Sequence, residues 1–368
     1  MSLLNWLEHR TKDAVFGLCR LFFRKGRTPA PAIDGARISK VLFLRPEKIG
    51  DMVISLPVFD ALRTRYPHIR ISVLASPRNV ALIRNDSRFE RIFIYRKWQW
   101  EDFRQLAAVR REHFDCVIDM IDNDSVTALF FSQLAGKRSV RIGVGKTRHA
   151  IFYDYNHIHS DGIGEHIVDN TLKLLAPFGI NGSTVSGFAP PFMTAEARAK
   201  AEAAVAIDPP GTLRFGFNLS AGKPNRIWPR EKVIALCRAL ISWKADSRIV
   251  LISMPSDRRN AEEVAAEAGD RVRLAPAGMG LIEVSALIAR LDLLISPDTS
   301  LIHIARSFQI PVVGLYNRAA KNFRRWQPYR QPDGAVVGAD DDTIADISVD
   351  RVFERVKQVL ARMKAGQE

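Results

Sequence analysis

Short apolar runs alternate along this chain with stretches whose apolar residues fall at helical spacing. Residues 41–44, Val-Leu-Phe-Leu, are apolar throughout, as in a strand covered on both faces. From Met52 the apolar positions (Met52, Val53, Leu56, Phe59, Leu62) follow a helical period, so a helix is expected to start at or just before Asp51. The pattern then predicts strands at 69–74, 92–95 and 116–119, with helices from about Asn79, over 103–112 and over 166–178. A second series follows, with strands at 214–219, 249–253, 272–274, 291–295 and 311–316. Helices are expected between them at about 230–243, 260–268, 282–290 and 301–308, and a last one at about 349–363. Strand and helix in alternation is the rhythm of a parallel sheet, so each series reads as one doubly wound α/β domain.

The stretch 181–192, with two glycines and the Pro190-Pro191 pair, reads as the inter-domain linker. The expected domains are therefore 36–182 and 193–346, each Rossmann-like, with residues 347–368 a final helix returning to the N-terminal domain. In open sheets of this kind ligands bind beyond the carboxyl ends of the strands, where the loop 45–51 would lie.

Composition narrows the class. With 368 residues, 47% hydrophobic and 26% charged, the chain is globular and long enough for two domains. Three cysteines (Cys19, Cys116, Cys237) with no C-x-x-C pairing fit neither a disulfide framework nor a zinc site, and suit a reducing cytoplasm. The net charge of +14 asks for an acidic partner: nucleic acid, an anionic membrane surface or a phosphorylated substrate.

Part of that charge lies in residues 1–27. Leu3, Leu4, Leu7, Val15, Leu18 and Phe22 fall near one helical stripe, with Trp6, Leu21 and Phe23 beside it, among Arg10, Lys12, Arg20, Arg24, Lys25 and Arg27. The apolar runs are far shorter than the roughly 20 residues of a spanning helix. A basic amphipathic helix on the inner face of the cytoplasmic membrane and a helix packed on the protein's own surface are both open.

Several motifs carry less than they promise. Gly143-Val-Gly-Lys-Thr imitates a phosphate loop, but Val140 stands where the Walker pattern needs glycine. Asp122-Asn-Asp124 imitates a metal-binding D-x-D, without further oxygen ligands in sight. His157, His159 and His166 match no zinc spacing. No G-x-G-x-x-G fingerprint follows the first strand, which argues against a dehydrogenase.

Three segments carry more. In the first, Arg45-x-x-Lys48-Ile-Gly50-Asp51, the aspartate reads as a helix N-cap or as a carboxylate at a cleft mouth. The second, Asp298-Thr299-Ser300-x-x-His303, opens a helix after a strand; Thr299 suits an N-cap, and a helix start is a natural seat for a diphosphate. The third, residues 220–229, contains Lys223, Arg226 and Trp228-Pro229, which reads as a cationic loop or a hydrophobic staple before the next helix.

These three, in this order, resemble the motifs of the heptosyltransferases of glycosyltransferase family nine. The resemblance covers roughly residues 38–329. It implies the GT-B arrangement, two doubly wound domains facing across a cleft, with an N-terminal acceptor domain and a C-terminal donor domain. It further implies inverting transfer, without metal or cofactor, from a nucleotide-diphosphate sugar, ADP-heptose, to a phosphorylated, lipid-linked lipopolysaccharide core. Asp51 takes the place of the catalytic base, with Arg45, Lys48 and Gly50 on the acceptor side. Lys223, Arg226, Asp298, Thr299, Ser300 and His303 line the donor site, and Asp257 falls where the family puts an acid on the ribose. Ser300 replaces the usual glycine, and Arg226 the usual lysine. The basic, aromatic run 318–330 contains a Trp-x-Pro-Tyr that also resembles the family, which argues against nucleic acid. Two other readings stay open: a GT-B transferase or epimerase with another nucleotide sugar, and a non-catalytic binding protein on the same fold.

Overall fold

The computed structural model describes residues 16–97, 99–136, 138–158, 165–319 and 323–365. The first sheet contains β1 (Lys40–Leu44), β2 (Arg70–Ala75), β3 (Phe89–Ile94), β4 (Cys116–Asp119), β5 (Val140–Val144) and β6 (Tyr155–His157). Its strands lie in the order β3-β2-β1-β4-β5-β6. The second contains β7 (Leu213–Asn218), β8 (Ser247–Ile252), β9 (Val272–Leu274), β10 (Leu293–Pro297), β11 (Val312–Tyr316) and β12 (Ala335–Val337), in the order β12-β11-β10-β7-β8-β9. Every pairing is parallel. The two sheets share one doubly wound order, and each reverses between its central strands, β1/β4 and β7/β10. A crevice opens at the carboxyl ends of strands on either side of such a reversal.

Besides a single helical turn at Phe323–Trp326 and the helical residues 16–22, the described helices are α1 (Ile49–Arg65), α2 (Trp100–Glu112), α3 (Val126–Leu134), α4 (Ile167–Leu172), α5 (Ala195–Val205), α6 (Arg230–Trp243), α7 (Arg258–Ala268), α8 (Leu281–Ile288), α9 (Ser300–Ser307) and α10 (Val349–Ala365). Apolar packing is continuous between the domains: one cluster runs from Phe43 and Phe59 through Val53 and Ile54 of α1 to Leu287 of α8 and Ile302 of α9. Phe59 anchors its first half, edge-on to Phe43 at 4.8 Å and to Phe89 at 5.0 Å.

Four differences from the sequence pattern have local causes. The helix expected from Asn79 is a single 3-10 turn, Val80–Leu82. Asn79 is fully buried, its Oδ1 accepting from Ser76 N at 2.9 Å and its Nδ2 donating to Arg45 O at 2.8 Å, which pins the chain before a helix can run. The helix expected over 166–178 stops at Leu172 and tightens into a 3-10 stretch, Lys173–Phe178, that carries Pro177. Two helices and three strands (α3, α5, β5, β6, β12) were not expected: β6 and β12 are three residues long, Gly143 interrupts β5, and α5 buries only the small stripe Ala197, Ala201 and Val205. The last helix does not return to the N-terminal domain. Val352, Val356 and Val359 of α10 are buried in the core of the second domain with Leu236 and Leu240 of α6.

The N-terminal segment divides between its two readings. Residues 16–22 are helical. Phe16, Cys19 and Phe23 pack on Leu129, Phe130 and Phe152. Arg24 and Arg27 reach the fully buried carboxylate of Asp154 at 3.4 and 3.0 Å. Leu18, Leu21 and Phe22 face outward, 61%, 79% and 77% exposed. Leu3, Leu4, Trp6, Leu7, Arg10, Lys12 and Val15 lie outside the described residues.

Candidate active site

Four loops at the carboxyl ends of β1, β4, β7 and β10 converge on the seam between the domains. The β1 loop turns at Arg45, whose guanidinium is buried, 4% exposed. Its NH1 donates to Glu47 Oε2 and to Met120 O, both at 2.6 Å, and its Nε to Asp51 O and Ser55 Oγ, both at 3.0 Å. Arg45 thus ties the end of β4 to the first turn of α1 and faces inward rather than toward an acceptor.

α1 starts at Ile49 with Lys48 as N-cap, which corrects the N-cap reading of Asp51. Asp51 sits in the first turn and folds back: its Oδ2 accepts from Lys48 N at 3.0 Å. Its other oxygen, Oδ1, lies 3.8 Å from Arg45 NH2, and the side chain is 15% exposed. A first-turn carboxylate is favoured by the helix dipole. Lys48 is exposed. Gly50 belongs to the seam: a Cβ there would stand 3.2 Å from His303 Cδ2 and 3.8 Å from Ser300 Cα. A side chain at residue 50 would therefore crowd the His303 ring, and glycine suits the close approach of the α1 and α9 starts.

On the opposite side, Thr299 caps α9, its Oγ1 accepting from Leu301 N at 3.3 Å. Asn218, buried at the end of β7, donates through Nδ2 to Thr299 Oγ1 at 3.1 Å and to Ser296 Oγ at 3.0 Å. Sequence reading missed Asn218; the one available signal was a polar residue closing an apolar strand. Arg226 NH1 pairs with Asp298 Oδ2 at 2.8 Å and donates to Asp298 O at 3.1 Å. Burial pushes the Asp298 carboxyl up, against the opposing charges of Arg226 and Lys48. The 220–229 loop and the α9 start are therefore joined, while Lys223 is exposed on the same loop. Trp228 is buried and donates to Ile347 O at 3.0 Å, which makes it an anchor of the loop. Asp257 closes the β8 loop and accepts from Ser220 Oγ.

His303, one turn into α9, is 8% exposed and edge-on to Trp326 at 5.6 Å. Burial pushes it down to about 4, although the charge of Asp51 across the seam pulls the other way, so at neutral pH the ring is uncharged. His166 is pushed down to about 4 by burial as well. Its Nδ1 accepts from Val168 N at 3.1 Å, which leaves Nε2 to donate to Gln327 O at 2.9 Å. Tyr329 donates to Asp169 at 2.7 Å and Arg325 pairs with Asp122. The 323–331 segment thus straps the second domain to the first, and Lys321 of the same run lies outside the described residues.

The imitation motifs resolve into structure. Asp124 accepts from the backbone N–H groups of Thr147, Arg148 and His149 and from the Thr147 hydroxyl; against its burial, these hold its carboxyl below the usual range. Lys146 is fully buried against Asp119 at 2.8 Å. His166 is an N-cap, and His159 lies outside the described residues. Among the described residues, no group of three or more His, Cys, Asp or Glu side chains could hold a metal ion.

Two facing doubly wound domains with their strand-end loops meeting at one seam define a GT-B protein. The chain belongs to glycosyltransferase family 9 (heptosyltransferase), whose pattern matches residues 103–353. That span holds Arg226, Asp257 and the start of α9, and begins after α1. The chain is 24% identical over 304 residues to lipopolysaccharide heptosyltransferase 3 of Escherichia coli K12, covering 77% of this chain and 83% of that protein. A family 9 glycosyl transferase from Veillonella parvula shares the fold with a TM-score of 0.75 at 18% identity, over 90% of this chain and 99% of the other. The ADP-heptose lipopolysaccharide heptosyltransferase II of E. coli does so with a TM-score of 0.69, also at 18%, over 88% and 99%. This protein is a glycosyltransferase.

Proposed function

We propose that the enzyme moves a heptose from ADP-heptose, with inversion, onto a phosphorylated, lipid-linked core oligosaccharide of lipopolysaccharide, with Asp51 as the base. The observation that carries this reading is the meeting of the α1 and α9 starts: the carboxylate of Asp51 on one side, a capped helix N-terminus with Arg226 on the other, and a neutral His303 between. Asp51 accepts the proton of an acceptor hydroxyl while that oxygen bonds to the anomeric carbon. The bond from that carbon to the diphosphate breaks on the opposite face, and its electron pair leaves with the nucleotide. The departing charge falls toward the first-turn amides of α9, Arg226 and Lys223, which stabilise it electrostatically. Asp257 is assigned to the ribose. Two of the relatives described above are lipopolysaccharide heptosyltransferases, which supports the sugar and the acceptor class.

A thermal-shift panel of ADP, UDP, GDP, CMP and their sugars tests the donor, since a ligand of the native state raises apparent stability by an amount set by its concentration over Kd. Selective stabilisation by ADP and ADP-heptose is expected; preference for UDP or GDP forms would remove the heptose assignment. Arg226→Ala is expected to weaken ADP-heptose binding about 10- to 100-fold, the value of a lost hydrogen bond to a charged group. Titration calorimetry reads this directly, and unchanged affinity would remove Arg226 from the diphosphate.

The exposed Leu18, Leu21 and Phe22, with the basic surface, support peripheral attachment to the anionic inner leaflet. Deleting the segment would also strip the packing of Phe16 and Phe23 and the partners of Asp154, so substitution is the cleaner test. Leu21→Ser with Phe22→Ser is expected to cut co-sedimentation with anionic phosphatidylglycerol vesicles several-fold while leaving donor binding intact. Unchanged sedimentation would assign the face to something other than lipid.

A further inference from the structure

Arg45 stands between two carboxylates, and only one of them has a role so far. Its NH1 holds Glu47 at 2.6 Å, whereas its NH2 is 3.8 Å from Asp51, beyond a direct hydrogen bond. The rest of the guanidinium is spent on Asp51 O, Ser55 Oγ and Met120 O, so its place is set by the backbone of α1 and β4. A buried guanidinium needs a counter-charge close by. Glu47 and Asp51 are the carboxylates in reach, and the geometry gives the close contact to Glu47.

We propose that Glu47 is a positioning residue for the transfer: by neutralising Arg45 it keeps the carboxylate of Asp51 out of a direct hydrogen bond with the guanidinium, and basic. The inference rests on Asp51 being the base. Without the Glu47 charge, Asp51 becomes the sole counter-ion of Arg45. The 3.8 Å gap then favours closure into a direct ion pair, which draws the carboxylate inward and stabilises its charged form. A base so stabilised accepts a proton less readily. The charge of Glu47 also balances Arg45 at the moment Asp51 takes the proton and loses its own charge. The groups facing Glu47 are Arg45, Asp51 and Asp119; its backbone carbonyl accepts from Ser76 Oγ at 3.1 Å, which fixes the loop on the side of β2. Burial pushes the Glu47 carboxyl up, with Asp51 and Asp119 pushing the same way against Arg45. Glu47 therefore gives up its charge before an ordinary glutamate would as pH falls.

The test is Glu47→Gln, which keeps an acceptor for Arg45 NH1 and removes only the charge. Release of ADP from ADP-heptose is followed across pH with a deacylated, phosphorylated core oligosaccharide as acceptor. The acid limb of the kcat profile is expected to move about one pH unit lower and the plateau to fall roughly tenfold, because an adjacent opposite charge weakens a carboxylate base. KM for the donor stays within about twofold of wild type, since nothing on the donor side changes. Glu47→Asp, which restores the charge at shorter reach, recovers part of the rate. A profile and plateau that superimpose on wild type would overturn the proposal. So would a Glu47→Gln enzyme as inactive as Asp51→Asn, which would make Glu47 the base itself. Asp51→Asn in the same assay separates the two levels. Activity surviving there removes the base and this inference with it; loss there beside an unaffected Glu47→Gln removes only the role of Glu47.

Discussion

Asp51→Asn is expected to lower transfer about 10²- to 10⁴-fold, the usual contribution of a positioned general base, while donor affinity changes no more than a few-fold. The substitution is well suited to the site. An asparagine oxygen still accepts from Lys48 N, now at 3.0 Å from Asp51 Oδ2, so the first turn of α1 keeps its closure. Gly50, which sets the approach to His303, is untouched. What disappears is the capacity to hold a proton. Single-turnover rates with ADP-heptose and the core oligosaccharide give the chemical step, and calorimetry gives the donor affinity. Loss of donor binding in the mutant would instead make Asp51 a structural residue of the helix start. Unimpaired transfer would move the base elsewhere in the seam. His303 does not confuse the outcome above about pH 5, because burial holds it neutral down to about 4.

The largest stability effect is expected away from the seam. Lys146 and Asp119 are both fully buried, 2.8 Å apart. The lysine also donates to Ile121 O at 2.6 Å and Asn123 O at 2.8 Å, and Tyr153 donates to Asp119 at 2.5 Å. Lys146→Met leaves the buried aspartate charge without its counter-ion and should cost about 3–5 kcal/mol, the usual result of removing one member of a buried pair. Urea unfolding followed by circular dichroism and fluorescence together checks this, and coincident transitions make the comparison sound. Adding Asp119→Asn should return part of the loss, since no charge is then stranded. A Lys146→Met protein within about 1 kcal/mol of wild type would mean that water reaches the pair.

Lys146 also shows where sequence reading stops. Gly143-Val-Gly-Lys was set aside as a phosphate loop because Val140 lacks the required glycine. That a lysine of this run would be buried beneath the β4 loop was not readable, because its partner is 27 residues away, on β4 rather than in the motif. The same limit explains Asn79 and α10. A helical period continues on paper past Asn79, but a local hydrogen bond from Ser76 N and a distant one to Arg45 O fix that residue in a turn. The apolar stripe of α10 is plain in the sequence; which domain it covers is set by where α6 leaves an open face.

What the chain determines alone is local: period, caps and turns. Nine of the twelve described strands follow from short apolar runs, the start of α1 from the Lys-Ile-Gly-Asp turn, and the start of α9 from the Thr299 cap. Each depends on contacts within a few residues. The order of motifs along the chain sufficed to suggest the family. What the tertiary structure alone decided is which charged groups face each other. Arg45 turned inward to Glu47, Met120 and α1; Arg226 met Asp298; His303 came to lie against Gly50 and lost its charge to burial. The contacts of Arg45 with Met120, Arg226 with Asp298 and His303 with Gly50 join segments tens to hundreds of residues apart, and the strength of all these pairings depends on desolvation, which a linear sequence does not display.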